Sequence, residues 1–344
     1  MKAVALTNIK TLEVVDIPDV NEPGKGEVLI KVKSVGVCGS DMHYYRTGRI
    51  GSQVVAYPFV LGHEFAGEIV KVGEGVKNVK PGSRVAVDPA MSCGKCDQCR
   101  AGREHTCRNL TFLGNPGQSD GCMKEYIVMP ANTCFELPEK LSFDDGMLCE
   151  PFSIGIYAVK SFGNVSGLDI GILGFGPIGM SVLSALKPNN PSSVIVSEKL
   201  DYRLYTAETF GADYAINPLK ENLVEKANAL YENQLDVVFE CCGQQDAVAQ
   251  AIEMLKPGGT LMIVGIPEFD AWHLPVDQLR RKEITIKNVR RQNHCMQDAI
   301  DMLAGVSSDL KQMITHRVDY TKSQDVYDLV EAYKDNVMKA VVTF

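Results

Sequence analysis

No uninterrupted apolar segment among the 344 residues approaches the roughly 20 needed to span a bilayer. The opening run Met1-Lys2-Ala3-Val4-Ala5-Leu6 is too short for the apolar part of a secretory leader and lacks a cleavage pattern. Positive charge is not in excess: 35 Lys and Arg stand against 43 Asp and Glu, a net charge of −8. Nucleic acid and anionic membrane are therefore poor partners. There is no internal repeat and no low-complexity tract. The eleven cysteines are odd in number and clustered, not spread as a disulfide framework. In a reducing cytosol such clusters read as metal ligands, and a cytoplasmic location is expected. What remains is an ordinary globular composition, 45% hydrophobic and 23% charged, long enough for two domains with cores of their own.

The stretch from Gly36 to Val76 holds Cys38, Ser40 and His43, then Gly62-His63-Glu64. A thiol, an imidazole and a carboxylate suit a zinc ion, and a zinc with three protein ligands keeps a fourth position for water or substrate. Each residue alone has a plainer reading, as a small buried thiol or a hydrogen-bonded core histidine. A second signal lifts the stretch. Cys93, Cys96, Cys99 and Cys107 follow a C-x2-C-x2-C-x7-C spacing that fits a closed tetrahedral site, structural because four thiolates leave no open position. His105, inside that loop, reads as a surface residue.

Around these motifs the first 90 or so residues alternate as short strands with Gly/Pro turns, among them Glu27–Val35, Glu68–Val72 and Arg84–Val87, which suggests a small β-barrel-like domain. The grammar changes at Ile170-Gly171-Ile172-Leu173, a strand running into Gly174-Phe175-Gly176-Pro177-Ile178-Gly179. This G-x-G-x-x-G opens a helical pattern and lets backbone approach a pyrophosphate at the helix N-terminus, with Pro177 suited to the first turn. The next strand ends at Glu198, about 20 residues past the last glycine, where a ribose-binding acid belongs. A carboxylate there accepts hydrogen bonds from a 2′-hydroxyl and repels a 2′-phosphate, favouring NAD over NADP. Arg203 covers the adenine or softens that preference. Strands at 235–240 and 260–265 alternate with a helix at 247–255, as in a doubly wound parallel sheet. Helical patterns at 297–303 and 323–333 and a strand at 340–344 return the chain to the first domain, so the nucleotide domain is inserted.

With these motifs in order, the chain resembles the zinc-dependent medium-chain alcohol dehydrogenases over its full length. The run Gly62-His63-Glu64-Phe65-Ala66-Gly67 with Gly73 and Val76 matches that family's zinc signature. Within it, His43-Tyr44-Tyr45, Gly48-Arg49-Ile50-Gly51, Glu150-Pro151-Phe152-Ser153-Ile154-Gly155, Val289 and Arg291 look most like the sorbitol/xylitol (polyol) dehydrogenases. The resemblance implies an α/β protein: a GroES-like β-barrel catalytic domain (residues 1–152 and 292–344) and a Rossmann domain (residues 153–291). It implies Cys38 and His63 as zinc ligands, completed by Glu64 and Glu150 directly or through water. A one-residue slip would make Cys149 the ligand; if the segment is locally extended, Cys149 points away. Nucleotide contacts are implied for Gly174, Gly176, Pro177, Ile178, Gly179, Glu198, Arg203, Val264, Val289 and Arg291. The chain departs from the pattern at Gln292, where sorbitol dehydrogenases have a substrate-pocket tyrosine, and at Glu198, where aspartate is commoner. The segment Lys187-Pro188-Asn189-Asn190-Pro191 has no functional account.

The expected reaction moves a hydride between a secondary alcohol of a polyol and NAD, forming the ketose reversibly, with two zincs per chain, one catalytic and one structural. Ser40 would pass the proton to His43, whose near-neutral pKa suits release to water; the plainer readings are a turn serine and a cap or core histidine. Tyr44, Arg291 and Gln292 would meet the substrate, although Tyr44 also reads as packing and Arg291 as a cofactor contact alone. Rival readings are an L-threonine 3-dehydrogenase-like enzyme, and a catalytically silent protein that binds zinc and nucleotide. A homo-oligomer, tetramer or dimer, rests on analogy.

Overall fold

The structure is a computed structural model and describes residues 1–305 and 310–344. It divides into two compact units, Met1–Glu150 with Met296–Phe344, and Pro151–Cys295. The first unit thus takes in residues 292–344 from position 296 onward, and the division falls at Glu150 rather than at residue 152.

The first unit is built on a seven-stranded sheet. In space its main path runs Cys134–Glu136, Arg84–Val87, Glu64–Val72, Glu27–Gly36, Lys339–Thr343 and Ile314–Asp319, and Tyr126–Pro130 also pairs with Glu27–Gly36. The central strand Glu27–Gly36 alternates half-buried and buried positions, with Val28, Ile30 and Val32 at 0% exposure. That period of two sends every second side chain into one core. The core gathers Leu6, Phe65, Tyr45 and Tyr327 around these two valines and Ile30. Strand Lys339–Thr343 pairs antiparallel with the end of this central strand, Val341 opposite Gly36.

The second unit is a six-stranded, all-parallel sheet in the spatial order Tyr214–Ile216, Ser193–Ser197, Asp169–Leu173, Leu235–Glu240, Leu255–Ile263, Thr285–Asn288. Ile170, Val194, Val196, Val237, Val238 and Phe239 form near-continuous buried runs, as strands covered on both faces require. The order changes direction at Asp169–Leu173, whose neighbours are Ser193–Ser197 on one side and Leu235–Glu240 on the other. Doubly wound sheets receive their ligands at the carboxyl ends of strands where the order reverses, and the glycine run from Gly174 starts there.

Candidate functional site

Antiparallel register brings Cys38, His63 and Glu64 together. Gly36, at the end of one strand, faces Glu64, at the start of the next. Cys38 lies two residues past Gly36 and caps the helix Gly39–Thr47 in an extended conformation, φ −95° and ψ 154°. Its backbone N–H donates to Asp41 Oδ2 at 3.2 Å, and the Ser40 hydroxyl donates to Cys38 Sγ at 3.4 Å. Gly62 precedes His63 with φ +93°, a conformation only glycine adopts without strain, and a Cβ there would stand 2.9 Å from Met123 Cγ. One ligand atom each from Cys38, His63 and Glu64 lies within 4.8 Å of the others.

Two of the three donors are buried and the thiol is half-buried. His63 and Glu64 are 6% and 1% exposed. Burial works against a charged imidazole at His63, yet Cys38 and Asp41 outweigh it and hold its pKa well above the usual value. Asp41 Oδ1 lies 3.6 Å from His63 Nδ1, and among the described residues it has no hydrogen-bond partner. A spot where neighbouring groups stabilise positive charge this strongly, with soft and hard donors converging, suits a divalent cation such as zinc.

Glu150 stands apart from that trio. It is 5% exposed, and burial raises its pKa to about 7, with Glu64 pushing the same way and His63 and Lys339 opposing. The segment is helical, not extended: Glu150 and Cys149 lie within the helix Phe143–Phe162. The Cys149 thiol donates to the Asp145 carbonyl one turn back, at 3.4 Å, and is fully buried. Consecutive helical residues differ in direction by about 100°, so the two side chains still diverge.

Cys93, Cys96, Cys99 and Cys107 also converge, their sulfurs within 4.8 Å of one another. Backbone amides of Lys95 and Cys96 and the Cys107 thiol lower the Cys93 pKa to about 6. Amides aimed at a sulfur stabilise the thiolate that a metal needs. All eleven cysteines are free thiols. His105, expected at the surface, is 5% exposed in the short turn Glu104–Thr106, because that turn folds into the closed loop between Cys99 and Cys107.

In the second unit, the helix Pro177–Leu186 is capped by Gly176 with Pro177 in its first turn. Gly174 has φ +92°, and a Cβ at Gly179 would fall 2.1 Å from the Gly174 carbonyl oxygen, so helix and loop meet as only glycines allow. Glu198 Oε2 accepts the Phe175 N–H at 2.9 Å, and its Oε1 accepts those of Lys199 and Leu200. Arg203 is buried, with one guanidinium nitrogen 3.3 Å from the Cβ position of Gly176. Ile178 is half-buried on the same turn. Val264 donates its N–H to Glu240 and Val289 to Ile263, both at 2.8 Å. Arg291 takes a left-handed φ of 53°. Gln292 is buried, its side-chain oxygen accepting the Cys295 N–H at 2.9 Å.

Tyr44 is buried, its hydroxyl 3.1 Å from Asn115 Oδ1 and 3.3 Å from Gln53 Oε1. His43 is half-buried on the same helix, its carbonyl accepting the Thr47 hydroxyl. Two residues at the site escaped the sequence reading. Asp41, three residues after the capping Cys38, carried the signal of an acid in a first helical turn. Lys339 carried one too: a lysine inside the apolar run Val337-Met338-Lys339-Ala340-Val341-Val342.

Residues 24–139 match the family model for the alcohol dehydrogenase GroES-like domain, and residues 177–305 that for zinc-binding dehydrogenases. A sorbitol dehydrogenase of Bacillus subtilis (strain 168) is 36% identical, over 99% of this chain and 97% of its own. A zinc-binding dehydrogenase structure from Sinorhizobium meliloti 1021, bound to NADP, superposes with a TM-score of 0.89 at 30% identity, covering 100% of this chain and 99% of the other. A structure from Escherichia coli CFT073, described as a short chain alcohol dehydrogenase and complexed with NADH, gives a TM-score of 0.90, also at 30% identity and with the same coverage. Paired with a convergent Cys-His-Glu group, a four-thiol cluster and a glycine-lined parallel sheet, an identity of 36% along nearly the whole length means that this chain belongs to the zinc-dependent medium-chain alcohol dehydrogenase family.

Proposed function

We propose that this enzyme is a zinc- and NAD-dependent polyol dehydrogenase, interconverting a sugar alcohol and its ketose. The convergence of Cys38, His63 and Glu64 carries the reading, and similarity to sorbitol dehydrogenase supports the substrate class. Cys38 and His63 hold the catalytic zinc, and Glu64 and Glu150 complete its surroundings directly or through water. Cys93, Cys96, Cys99 and Cys107 hold the structural zinc. When bound, the catalytic cation stabilises the deprotonated form of an alcohol.

The chain's own residues do the rest. Ser40, held against the Cys38 sulfur, takes the alcohol proton and passes it outward toward His43, which releases it to water. Tyr44, Arg291 and Gln292 meet the remaining hydroxyls, Tyr44 and Gln292 being fixed by the hydrogen bonds described above. A site that pairs several hydroxyls rejects analogues lacking them, so ethanol is a poor substrate. Gly174, Gly176, Pro177, Ile178 and Gly179 receive the pyrophosphate, Glu198 the adenine ribose and Arg203 the adenine side, while Val264, Val289 and Arg291 line the nicotinamide end. Glu198 already accepts three backbone N–H groups, and its charge repels a 2′-phosphate, which favours NAD. The enzyme works in the cytoplasm as a homo-oligomer, tetramer or dimer; no helix among the described residues is long and apolar enough to cross a membrane. The test is NADH absorbance with xylitol, sorbitol and L-threonine, each with NAD and NADP, alongside metal analysis. Turnover of a sugar alcohol with NAD and two zincs per chain are expected. Turnover of threonine alone would move the assignment to the 3-dehydrogenases, and no turnover would leave a binding protein.

A further inference from the structure

Asn115 lies against the segment that carries His63. The strand Thr111–Phe112 places Phe112 beside that imidazole, ring centroids 5.4 Å apart. Two residues on, a Cβ at Gly114 would fall 2.8 Å from the Gly62 carbonyl oxygen, so the loop backbone rests directly on the residue before His63. Asn115 follows, 3% exposed, its backbone N–H donating to the Phe112 carbonyl at 3.3 Å and its carbonyl accepting the N–H groups of Gln118 and Ser119. Its side-chain oxygen accepts the Tyr44 hydroxyl at 3.1 Å. One polar atom is left over: Asn115 Nδ2 is out of solvent and has no hydrogen-bond partner among the described residues. A stranded donor of this kind costs about 1–3 kcal/mol, and native chains keep few of them.

The phenol beside it has one proton, and two side-chain oxygens compete for that proton, Asn115 Oδ1 at 3.1 Å and Gln53 Oε1 at 3.3 Å. Whatever else the Tyr44 oxygen meets, it meets as an acceptor. Tyr44 and Asn115 thus set an acceptor and a donor side by side. A hydroxyl answers both at once, because it donates one hydrogen bond and accepts others. A carboxylate only accepts: it suits the Asn115 amide but turns its lone pairs on those of the phenol. We propose that Asn115 is a specificity-determining residue: its Nδ2 donates to a substrate hydroxyl beyond the carbon being oxidised, the same hydroxyl that donates to Tyr44, so that neutral polyols are taken and sugar acids refused. This rests on the polyol reading of the site. An amide that served only to hold the Tyr44 ring would need its oxygen alone.

The test reads selectivity, which general damage to the fold leaves alone. Rates with NAD are measured for xylitol, for xylonate, in which a carboxylate replaces one terminal hydroxymethyl group, and for 2-butanol, which has no second hydroxyl. Wild type should prefer xylitol to both. In Asn115→Ala the ratio of kcat/KM for xylitol to that for 2-butanol should fall at least tenfold, as it should in Tyr44→Phe. The double variant should lose little more than either single one, because both residues read one hydroxyl. Asn115→Asp still accepts the phenol proton but, as a carboxylate, cannot donate, and it should be as unselective as Asn115→Ala. Should the Asn115 variants fail to fold, Tyr44→Phe with the same three alcohols carries the comparison. A ratio within twofold of wild type in the variants, a ratio restored by Asn115→Asp, or a wild type that oxidises xylonate as well as xylitol overturns the proposal. A wild type that oxidises neither xylitol nor sorbitol overturns the polyol reading itself, and this proposal with it.

Discussion

Glu198 and Phe175 are joined across the mouth of the parallel sheet: the carboxylate at the end of one strand accepts the backbone N–H inside the glycine turn of its neighbour, at 2.9 Å. The group proposed to read the ribose is thus also a brace for the turn proposed to receive the pyrophosphate. Glu198→Ala should therefore raise the KM for NAD by about tenfold or more, the loss of one charge-assisted hydrogen bond being about 1.5–3 kcal/mol. It should also narrow the preference over NADP. Initial rates with both nucleotides measure both effects, and an unchanged ratio would remove Glu198 from nucleotide selection.

Cys38→Ser and Cys96→Ser separate the two metal sites. The first should lower turnover at least a thousandfold while one zinc stays bound, since replacing a thiolate ligand by a hydroxyl removes the soft donor of an open site. The second should cost the lobe zinc and lower the melting temperature, because that loop has the metal in place of a core. Metal counting and thermal melts distinguish them. A Cys38→Ser enzyme with full turnover would end the catalytic assignment.

Glu150 makes the metal-free protein sensitive to pH. Its folded pKa is raised by burial to about 7 from an ordinary 4.5. A raised carboxyl pKa means that the unfolded chain ionises first: the favourable contribution is complete below pH 4.5 and is lost as pH rises through 7. Metal-stripped wild type should thus lose stability across that window relative to Glu150→Gln, by on the order of 3 kcal/mol at most. Urea melts of both proteins at pH 4.5 and 8 give the difference, and parallel pH profiles would show that the Glu150 carboxyl titrates alike in the folded and unfolded chain.

Gly179 tests the packing beneath the nucleotide site. Its Cβ position lies 2.1 Å from the Gly174 carbonyl oxygen, which is backbone and has nowhere to go. Gly179→Ala should weaken NADH binding at least tenfold, by fluorescence titration, and lower the melting temperature. An alanine tolerated in both assays would show that the helix rides further from the loop.

Motifs whose parts are close in sequence were the legible ones. Four thiols within fifteen residues, and three glycines between a strand and a helix, announce their chemistry because the chain need only turn once to assemble them. The helix through Cys149 and Glu150 was not legible, since Pro151 follows directly and Gly146 and Gly155 interrupt its pattern. Tyr44 could be read as a substrate contact or as packing, and its burial with Asn115 and Gln53 depends on partners that no local pattern announces. His105 was hidden similarly by loop closure. Lys339 stood out only as a charge in an apolar strand; its partner is fixed by pairing between distant strands, which spacing along the chain does not encode.

That distant pairing has a consequence for biosynthesis. Lys339 reaches Glu64 only after Lys339–Thr343 has zipped onto Ser34–Gly36, and the intervening chain includes the whole second unit. Contacts of such long sequence separation form late. Until that strand arrives, the Glu64 carboxylate lacks the ammonium that pairs with it in the finished fold. The last strand therefore completes the charge balance around Glu64 as well as the sheet, and a chain truncated before Lys339 would lack both.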